Sequence, residues 1–369
     1  MGTRVPLSRC VYEQRKTVFF QLQLDSSKLP LKKHSFVANQ NGDGGSILMR
    51  MLKYVLKRIA LMFFVLFVIT TICFVLIRIL PRELPMEKSQ QELILARWEA
   101  LGYNKPLLVQ YGIYWKNIIT KWDFGTSWYI AYRKPAWDLL VSRLLPTVLI
   151  NVYSLIFSVP IGLALGVYAA IKKNKWQDTF ISTMIIVFIS VPSYVYAFLV
   201  QYIFYFKLGW LPLQLYSVAD AGNTYFSWKM FHSMIGPILA MSFGEIAGLC
   251  RFSRAELTET LTSDYMLLAR TKGLTKAQAT ARHALKNAMV PVLPSIIGSF
   301  FAIMSGSLII EQIFSVPGVG QLYMRSINTF DYDVFMLDSL FYTFIGLAGG
   351  IVIDLSYGFI DPRIRMGER

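Results

Sequence analysis

The sequence predicts an all-α membrane protein with six transmembrane helices and both termini in the cytoplasm. Three observations carry that expectation. Of 369 residues, 54% are hydrophobic and only 16% are charged, with a mean hydropathy of +0.45. A soluble domain averages roughly 25% charged residues, so a globule of this composition could not solvate its own surface. Six apolar stretches approach or exceed the ~20 residues that a helix needs to cross a bilayer. Lys and Arg gather in alternate connections, the asymmetry that orients a polytopic chain. The net charge of +15 then follows from topology, and no nucleic-acid partner is needed to explain it.

Residues 1–48 read as a polar N-terminal extension, basic and Gly/Asn-rich, ending in Asn41-Gly-Asp-Gly-Gly-Ser46. They lack the long apolar run and small-residue cleavage site of a signal peptide. A Gly-Gly pair a few codons before Met49 is what an in-frame purine-rich ribosome site encodes. Met49 or Met51 is therefore the expected start of the working protein. Residues 49–146 should hold the first span and a long extracytoplasmic segment, and residues 147–369 a five-helix core.

The expected spans are 59–80, 147–171, 179–206, 233–251, 289–310 and 335–360. Pro192 should kink the third, which lipid tolerates when neighbours satisfy the freed carbonyl. The fourth is weakened as a span by Glu245. Arg50, Lys53, Lys57 and Arg58 flank the first span, and Lys172, Lys173 and Lys175 follow the second. Seven basic residues, counting Arg251 at the end of the fourth span, lie between the fourth and fifth spans, and Arg363, Arg365 and Arg369 close the chain. The short connections on the other side hold only Lys207, Lys229 and Arg325. The 81–146 segment has nine basic residues, but a loop that long crosses largely regardless of charge. Its Trp-rich piece, Tyr111–Trp128, should lie on the outer interface or cap a pore mouth.

Several chemistries are excluded. Cys10, Cys73 and Cys250 are too scattered for a disulfide framework or a zinc site. The three histidines, His34, His232 and His283, form no HExxH pair, so no metal site is expected. Neither a P-loop nor a GxSxG elbow occurs. Any ATP-driven work must draw its ATP and Mg²⁺ from other subunits, and the chain itself needs no cofactor.

The most informative stretch is the connection 253–288. Two short helices are expected around Gly273. Thr275 and Gln278 have the spacing of a capping box, in which each side chain satisfies an orphan N–H of the other's backbone. Leu274, Ala277, Ala281, Leu285 and Ala288 recur at helical spacing as one apolar face, leaving Lys276, Arg282 and Lys286 outside it. A rigid basic hairpin of this kind suits docking into a cleft of a peripheral subunit; an ordinary solvated loop is the plain alternative.

This loop resembles the EAA-type cytoplasmic loop of ABC importer permeases, in the form found in the dipeptide/oligopeptide family. The residues that carry the resemblance are Asp264-Tyr265, Ala269-Arg270, Lys272-Gly273-Leu274, His283-Ala284-Leu285, Asn287-Ala288 and Pro291. The similarity runs from about Met49 to the end. It includes Leu101–Tyr111, Asp123-Phe-Gly-Thr-Ser127, Arg143-Leu-Leu-Pro-Thr147, Trp210-Leu-Pro212, Phe314-Ser-Val-Pro-Gly-Val-Gly320 and Asp361-Pro-Arg-Ile-Arg365. Leu267-Leu268 stand where Glu-Ala gives the loop its name, and Pro81–Pro85 replaces a usual Gly-Asp pair.

The resemblance implies the type I ABC importer transmembrane fold and a plasma-membrane location in a bacterium or archaeon. It implies a second homologous permease, two cytoplasmic ATPases that hold ATP and Mg²⁺, and an extracytoplasmic peptide-binding protein. The chain looks like the first permease of the pair because of its long loop after span one. It would form the translocation path by alternating access, without enzymatic chemistry of its own. Asp264, Ala269, Arg270, Lys272, Gly273, Leu274, His283, Leu285 and Asn287 are the implied ATPase-coupling residues. Oligopeptides or dipeptides are the expected cargo, with nickel chelates, glutathione or sugars as alternatives in the same family.

The residues within the spans add candidates. Gly236, Ala240, Gly244 and Gly248, Gly162/Gly166 and Gly346/Gly350 form small-residue ladders that let helices approach closely. Their expected use is packing within the chain, and then against the second permease. Glu245 is a candidate path-lining carboxylate; a salt bridge to Arg251 or Arg254 is its structural alternative. Asp354 is expected in helix packing. Tyr194 and Tyr202 could line a path with hydroxyls. A proton-coupled carrier working through Glu245 and Asp354 is the rival from another class, but no inverted repeat of broken helices supports it.

Overall fold

A computed structural model describes residues 44–79, 88–100, 102, 104–304 and 308–360. The chain divides into two units, Met1–Met49 and Arg50–Arg369. Most of the expected N-terminal extension, and the motifs at 81–85 and 361–365, lie outside the described residues.

Helix α1 (Gly44–Ile79) contains the first span, Leu52–Ile79. Helices α2 (Lys88–Ala100) and α3 (Leu107–Lys121) follow, then a two-residue antiparallel pair, β1 (Thr126–Ser127) and β2 (Lys134–Pro135). Helix α4 (Ala136–Ile171) is the second span; it opens directly after Pro135, eleven residues ahead of the expected start. Helices α5 (Trp176–Ser190) and α6 (Ser193–Val200, running on as a π-helical turn, Gln201–Lys207) replace the third span. Helix α7 (Trp228–Leu261) is the fourth span, capped by Ser227, whose side chain accepts from the Met230 N–H.

Helices α8 (Asp264–Thr271) and α9 (Lys276–Ala279) lead through a π-helical turn (Thr280–Ala284) into α10 (Leu285–Met304). Helices α11 (Leu308–Ile313) and α12 (Val319–Asn328) are short, and α13 (Tyr332–Ile360) is the last span. Among the described residues, five helices are long and apolar enough to cross a membrane, and the α5–α6 pair makes a sixth if counted as one bent span.

The third span departs from its expected form. Pro192 does not kink one helix; it separates two, which meet at 99°. Val191 is extended (φ −90°, ψ 125°), the conformation that a following proline imposes on the residue before it. Pro192 then serves as the N-cap of α6. The fifth span also differs: its helical path begins as early as Lys276, ahead of the expected 289.

The centre of the bundle is the α4–α7 pair. An added Cβ at Gly162 would lie 2.9 Å from the Leu249 Cβ and 3.1 Å from the Ile246 carbonyl oxygen. At Gly166 it would lie 2.8 Å from the Cys250 carbonyl oxygen. These two glycines are therefore packing glycines, in a lipid setting where close van der Waals approach takes the place of hydrophobic association. Ser154 and Ser242 share a 3.1 Å hydrogen bond across the same contact. The ladder on α7 divides: Gly236 packs on Phe314, whereas Gly244 and Gly248 face open space, as do Gly346 and Gly350 on α13.

Helix α1 joins the bundle at two depths. Phe74 and Ile77 pack with Met336 and the aromatic face of α3, and Thr71 shares a 2.6 Å hydrogen bond with Tyr111. Nearer the α8 end, Arg58 pairs with Asp354 at 2.8 Å. The expectation that Asp354 serves helix packing is met by this ion pair.

Candidate functional site

The 264–288 connection takes the form of two helices that meet at a turn on Gly273. Gly273 sits at φ +90°, a left-handed conformation that costs a side chain bearing Cβ and suits glycine. Its N–H donates to the Arg270 carbonyl at 3.0 Å, and Leu274 N–H donates to Ala269 at 3.3 Å. Thr275 and Gln278 then form the expected capping box in both directions.

The inner face of this hairpin is buried. Met266 and Ala269 of α8 pack with Leu257 of α7, Ala170 of α4, and Ala279, Ala284 and Ala288, with Leu274 partly buried against them. The expected apolar face is corrected here: Ala277 and Ala281 are exposed, and Ala279, Thr280 and Ala284 are buried instead. The π-helical turn at Thr280–Ala284 accounts for this, because its wider turn shifts the buried stripe relative to an uninterrupted 3.6-residue pattern. Leu285 is half-buried.

The outer face is a mixed surface. Asp264, Arg270, Lys272, His283 and Asn287 are all exposed. Leu267 and Leu268, the departures from the Glu-Ala pattern, are 65% and 56% exposed. A second feature was not anticipated: α9, the π-turn and α10 run on as one helical path, Lys276–Ala302. The second half of the hairpin is thus the end of the fifth span, while α8 is set off from it by the Gly273 turn.

Inside the bundle, the candidate path residues do not converge. Tyr194 and Tyr202 on α6 are 42% and 53% exposed. Tyr196 between them is buried, donating its hydroxyl to the Phe188 carbonyl at 3.1 Å and stacking near Phe243. No hydrogen bond joins Glu245 to either exposed tyrosine among the described residues. Glu245 is half-buried beside the open Gly244 and Gly248. The alternative in which Arg254 pairs with Glu245 does not occur. Arg254 forms a bidentate pair with Asp178, at 2.6 and 2.8 Å, which ties α5 to α7. No local pattern marks Asp178, because its partner Arg254 lies 76 residues away in sequence.

Among the buried carboxylates at the opposite end of the bundle are Glu311 and Asp331. Glu311 accepts from the Thr147 hydroxyl at 2.8 Å and from Gln321 N–H at 3.0 Å. The Thr147 oxygen in turn accepts from Val319 N–H at 2.9 Å. A Cβ at Gly320 would lie 2.9 Å from the Glu311 carboxylate, and one at Gly318 closer still. The glycines of the 314–320 motif therefore let the α12 N-terminus close around an acid, where backbone N–H groups and helix dipole favour negative charge. Burial pushes the Glu311 carboxyl up from its ordinary value, against those hydrogen bonds.

Asp331 does the same for the Asp123–Ser127 motif. One oxygen accepts from the Ser127 hydroxyl at 2.6 Å and from the N–H groups of Trp128, Tyr129 and Ile130 at 3.2 Å each. Its carboxyl is also raised by burial. Thr126 N–H donates to Asp333 at 3.1 Å, and Gly125, at φ +100°, lies where any Cβ would strike the Asp333 side chain.

Residues 162–366 match the binding-protein-dependent transport system inner membrane component family, and residues 51–151 match the N-terminal component of the same systems. The chain belongs to this permease family. It is 33% identical over 321 residues to the dipeptide transport system permease protein of Lactococcus lactis subsp. cremoris (strain MG1363), covering 86% of this chain and 100% of that one. It is 32% identical over 319 residues to the glutathione transport system permease protein of Salmonella typhimurium (strain LT2), covering 85% and 99%. The glutathione transport system permease protein of Escherichia coli (strain K12) is 31% identical over the same length.

The permease is a multi-pass plasma-membrane protein and a transport component, not an enzyme in its own right. Its motifs divide between the two ends of the bundle. Those at 123–127 and 314–320 are architectural, built around Asp331, Asp333 and Glu311. The one at 264–288 is presented to the surroundings. Glu311 and Asp331 were missed because their partners lie up to 204 residues away in sequence, and no local pattern announces such a pairing.

Proposed function

We propose that this permease is one of two homologous membrane subunits of an ATP-driven importer of short peptides. The observation that carries this reading is the exposed Leu267-Leu268 pair on α8, flanked by Asp264, Arg270 and Lys272 and joined through the Gly273 turn to the helical path of the fifth span. Exposed leucines rimmed by charge mark a docking surface. Two cytoplasmic ATPases would seat these hairpins, bind ATP and Mg²⁺, and pull on the fifth span as they close. Gly273 would act as the hinge, and Ala269, Leu274 and Leu285 as the packing that makes the lever stiff. His283 and Asn287 would contact the ATPase surface.

In this reading the 264–288 end faces the cytoplasm with both termini, and the 102–135 end faces a peptide-binding protein outside. Alternating access needs contacts that differ between two states. The open glycines beside Glu245 suit a wall against the second permease, with Glu245, Tyr194 and Tyr202 lining the path between them. The relatives' names, dipeptide and glutathione, both denote short peptides, which favours that cargo over nickel chelates or sugars.

The test is purification of the native complex in mild detergent, with uptake of labelled peptides measured in cells lacking this chain. Recovery of a second permease and ATPases, with peptide uptake lost in the deletion strain, is the expected result. Recovery of the chain alone, with transport driven by a pH gradient, would replace this reading with the proton-coupled carrier.

A further inference from the structure

Little of α1 is buried within the chain. Leu61, Phe64, Val68 and Ile72 are exposed along it, and Gly346 and Gly350 of α13 face open space. Yet α1 meets α13 towards both of its ends. At one, Arg58 pairs with Asp354 at 2.8 Å. At the other, Arg78 of α1 and Asp333 of α13 line one cavity, together with Asp123 from the turn after α3. The Arg78 guanidinium lies over the Phe74 ring, 4.6 Å from its centroid. Phe74 and Ile77 in turn pack with Met336, one helical turn past Asp333.

The spacing of these contacts is the informative part. Arg58 and Arg78 are 20 residues apart on one unbroken helix, and Asp354 and Asp333 are 21 apart on another. At 1.5 Å per residue each separation is about 30 Å, the thickness of a bilayer's hydrocarbon core. The two helices therefore run antiparallel in register, with one arginine at each edge of the apolar layer. Both acids of the second site are held by the backbone: Asp333 accepts from Thr126 N–H at 3.1 Å and Asp123 from Gly125 N–H at 2.9 Å.

We propose that α1 is fastened to α13 at both edges of the membrane, by Arg58 on Asp354 and by Arg78 on Asp333 and Asp123, and that the two helices move as one body during transport. An exposed ion pair contributes little in water. At the edge of a bilayer the alternative for each partner is a charge turned towards hydrocarbon, which is costly. A helix held at one end can swing; one held at both ends of its span follows its partner. This inference goes beyond the importer reading above and does not depend on which cargo is carried.

The test uses the full transporter in cells, with Cys10, Cys73 and Cys250 replaced by alanine and a reporter pair, Ile77→Cys/Met336→Cys, joined by a short membrane-permeant bis-maleimide. The pair should cross-link, and uptake of a labelled tripeptide should persist after cross-linking. Arg78→Gln should lose the cross-link and Arg78→Lys should keep it. At the other edge, Arg58→Asp should lose uptake, and the exchanged pair Arg58→Asp/Asp354→Arg should regain it. Uptake that stops on cross-linking would show that α1 and α13 move apart, and would overturn the single body. A cross-link unchanged in Arg78→Gln, or an exchange that rescues nothing, would overturn the fastening at that edge. If wild type takes up no tripeptide, the peptide reading fails, whereas the Arg78 dependence of cross-linking still decides whether α1 is fastened.

Discussion

The two ends of this permease treat polar groups in opposite ways. At the 102–135 end, Glu311 and Asp331 are buried, and each gathers several donors from remote segments. At the 264–288 end, Asp264, Arg270, Lys272, His283 and Asn287 stand in the open, alongside two exposed leucines. One end is closed upon itself by charge-assisted hydrogen bonds, which are roughly twice as strong as neutral ones. The other leaves its polar groups exposed. The difference suggests where motion should enter: an end tied together by its own long-range hydrogen bonds resists change more than an end whose polar groups stand exposed.

The largest effect should come from Gly273→Pro. Proline fixes φ near −65° and has no N–H, whereas Gly273 sits at φ +90° and donates to Arg270. The hinge cannot form, so uptake should be lost while the protein remains in the membrane with its α4–α7 core intact. Immunoblots of membranes alongside uptake check both parts. Normal uptake by this variant would remove the hairpin as the moving part and with it the asymmetry between the ends.

Next is Glu311→Ala, which tests the closed end. It strands the Thr147 hydroxyl and the Gln321 N–H in a buried site, at a cost of about 1–3 kcal/mol for each donor left unsatisfied. The melting temperature of the solubilised complex should fall by several degrees. Glu311→Gln, which keeps one acceptor oxygen, should fall less. A loss of transport in Glu311→Gln with unchanged melting would show that this end does more than hold itself together.

Much of this was legible in the sequence, and the failures have physical causes. Composition and apolar run length announced the spans, because bilayer thickness sets helix length directly. The capping box at Thr275–Gln278 was legible because both halves lie within four residues. The break at Pro192 was underestimated: the sequence shows that a carbonyl is freed there, but only the fold reveals that α6 turns away by 99°. Ala277 and Ala281 were misplaced because a π-helical turn leaves no signature in the residues that form it. Asp178, Glu311 and Asp331 escaped because their partners, Arg254, Thr147 and Ser127, come from distant segments.

A smaller effect tests the closed end by pH. Burial raises the carboxyls of Asp331 and Glu311 above their ordinary values. The folded protein then binds these protons more tightly than the unfolded chain. Stability should fall as pH rises from the ordinary carboxylate range through the raised values, and recover on acidification across the same interval. Asp331→Asn keeps an oxygen acceptor for Ser127 and the 128–130 N–H groups but cannot titrate. Its melting temperature should vary less with pH than that of wild type. An unchanged slope in Asp331→Asn would show that this carboxylate keeps one charge state throughout, and that its donors outweigh its burial.

The smallest effect separates burial from use. Asp338 on α13 is fully buried, and neither carboxylate oxygen has a hydrogen-bond partner among the described residues. An unsatisfied polar group is expensive, and replacing it with an apolar group of similar size is neutral or stabilising. Asp338→Leu should therefore leave the melting temperature level or raise it slightly, in contrast to Glu311→Ala, although both positions are buried acids. If the closed end is only a clamp, uptake should also persist in Asp338→Leu. A stable Asp338→Leu protein that no longer transports would mean that this acid gains a partner in another state of the cycle. The end saturated with internal bonds would then move as well.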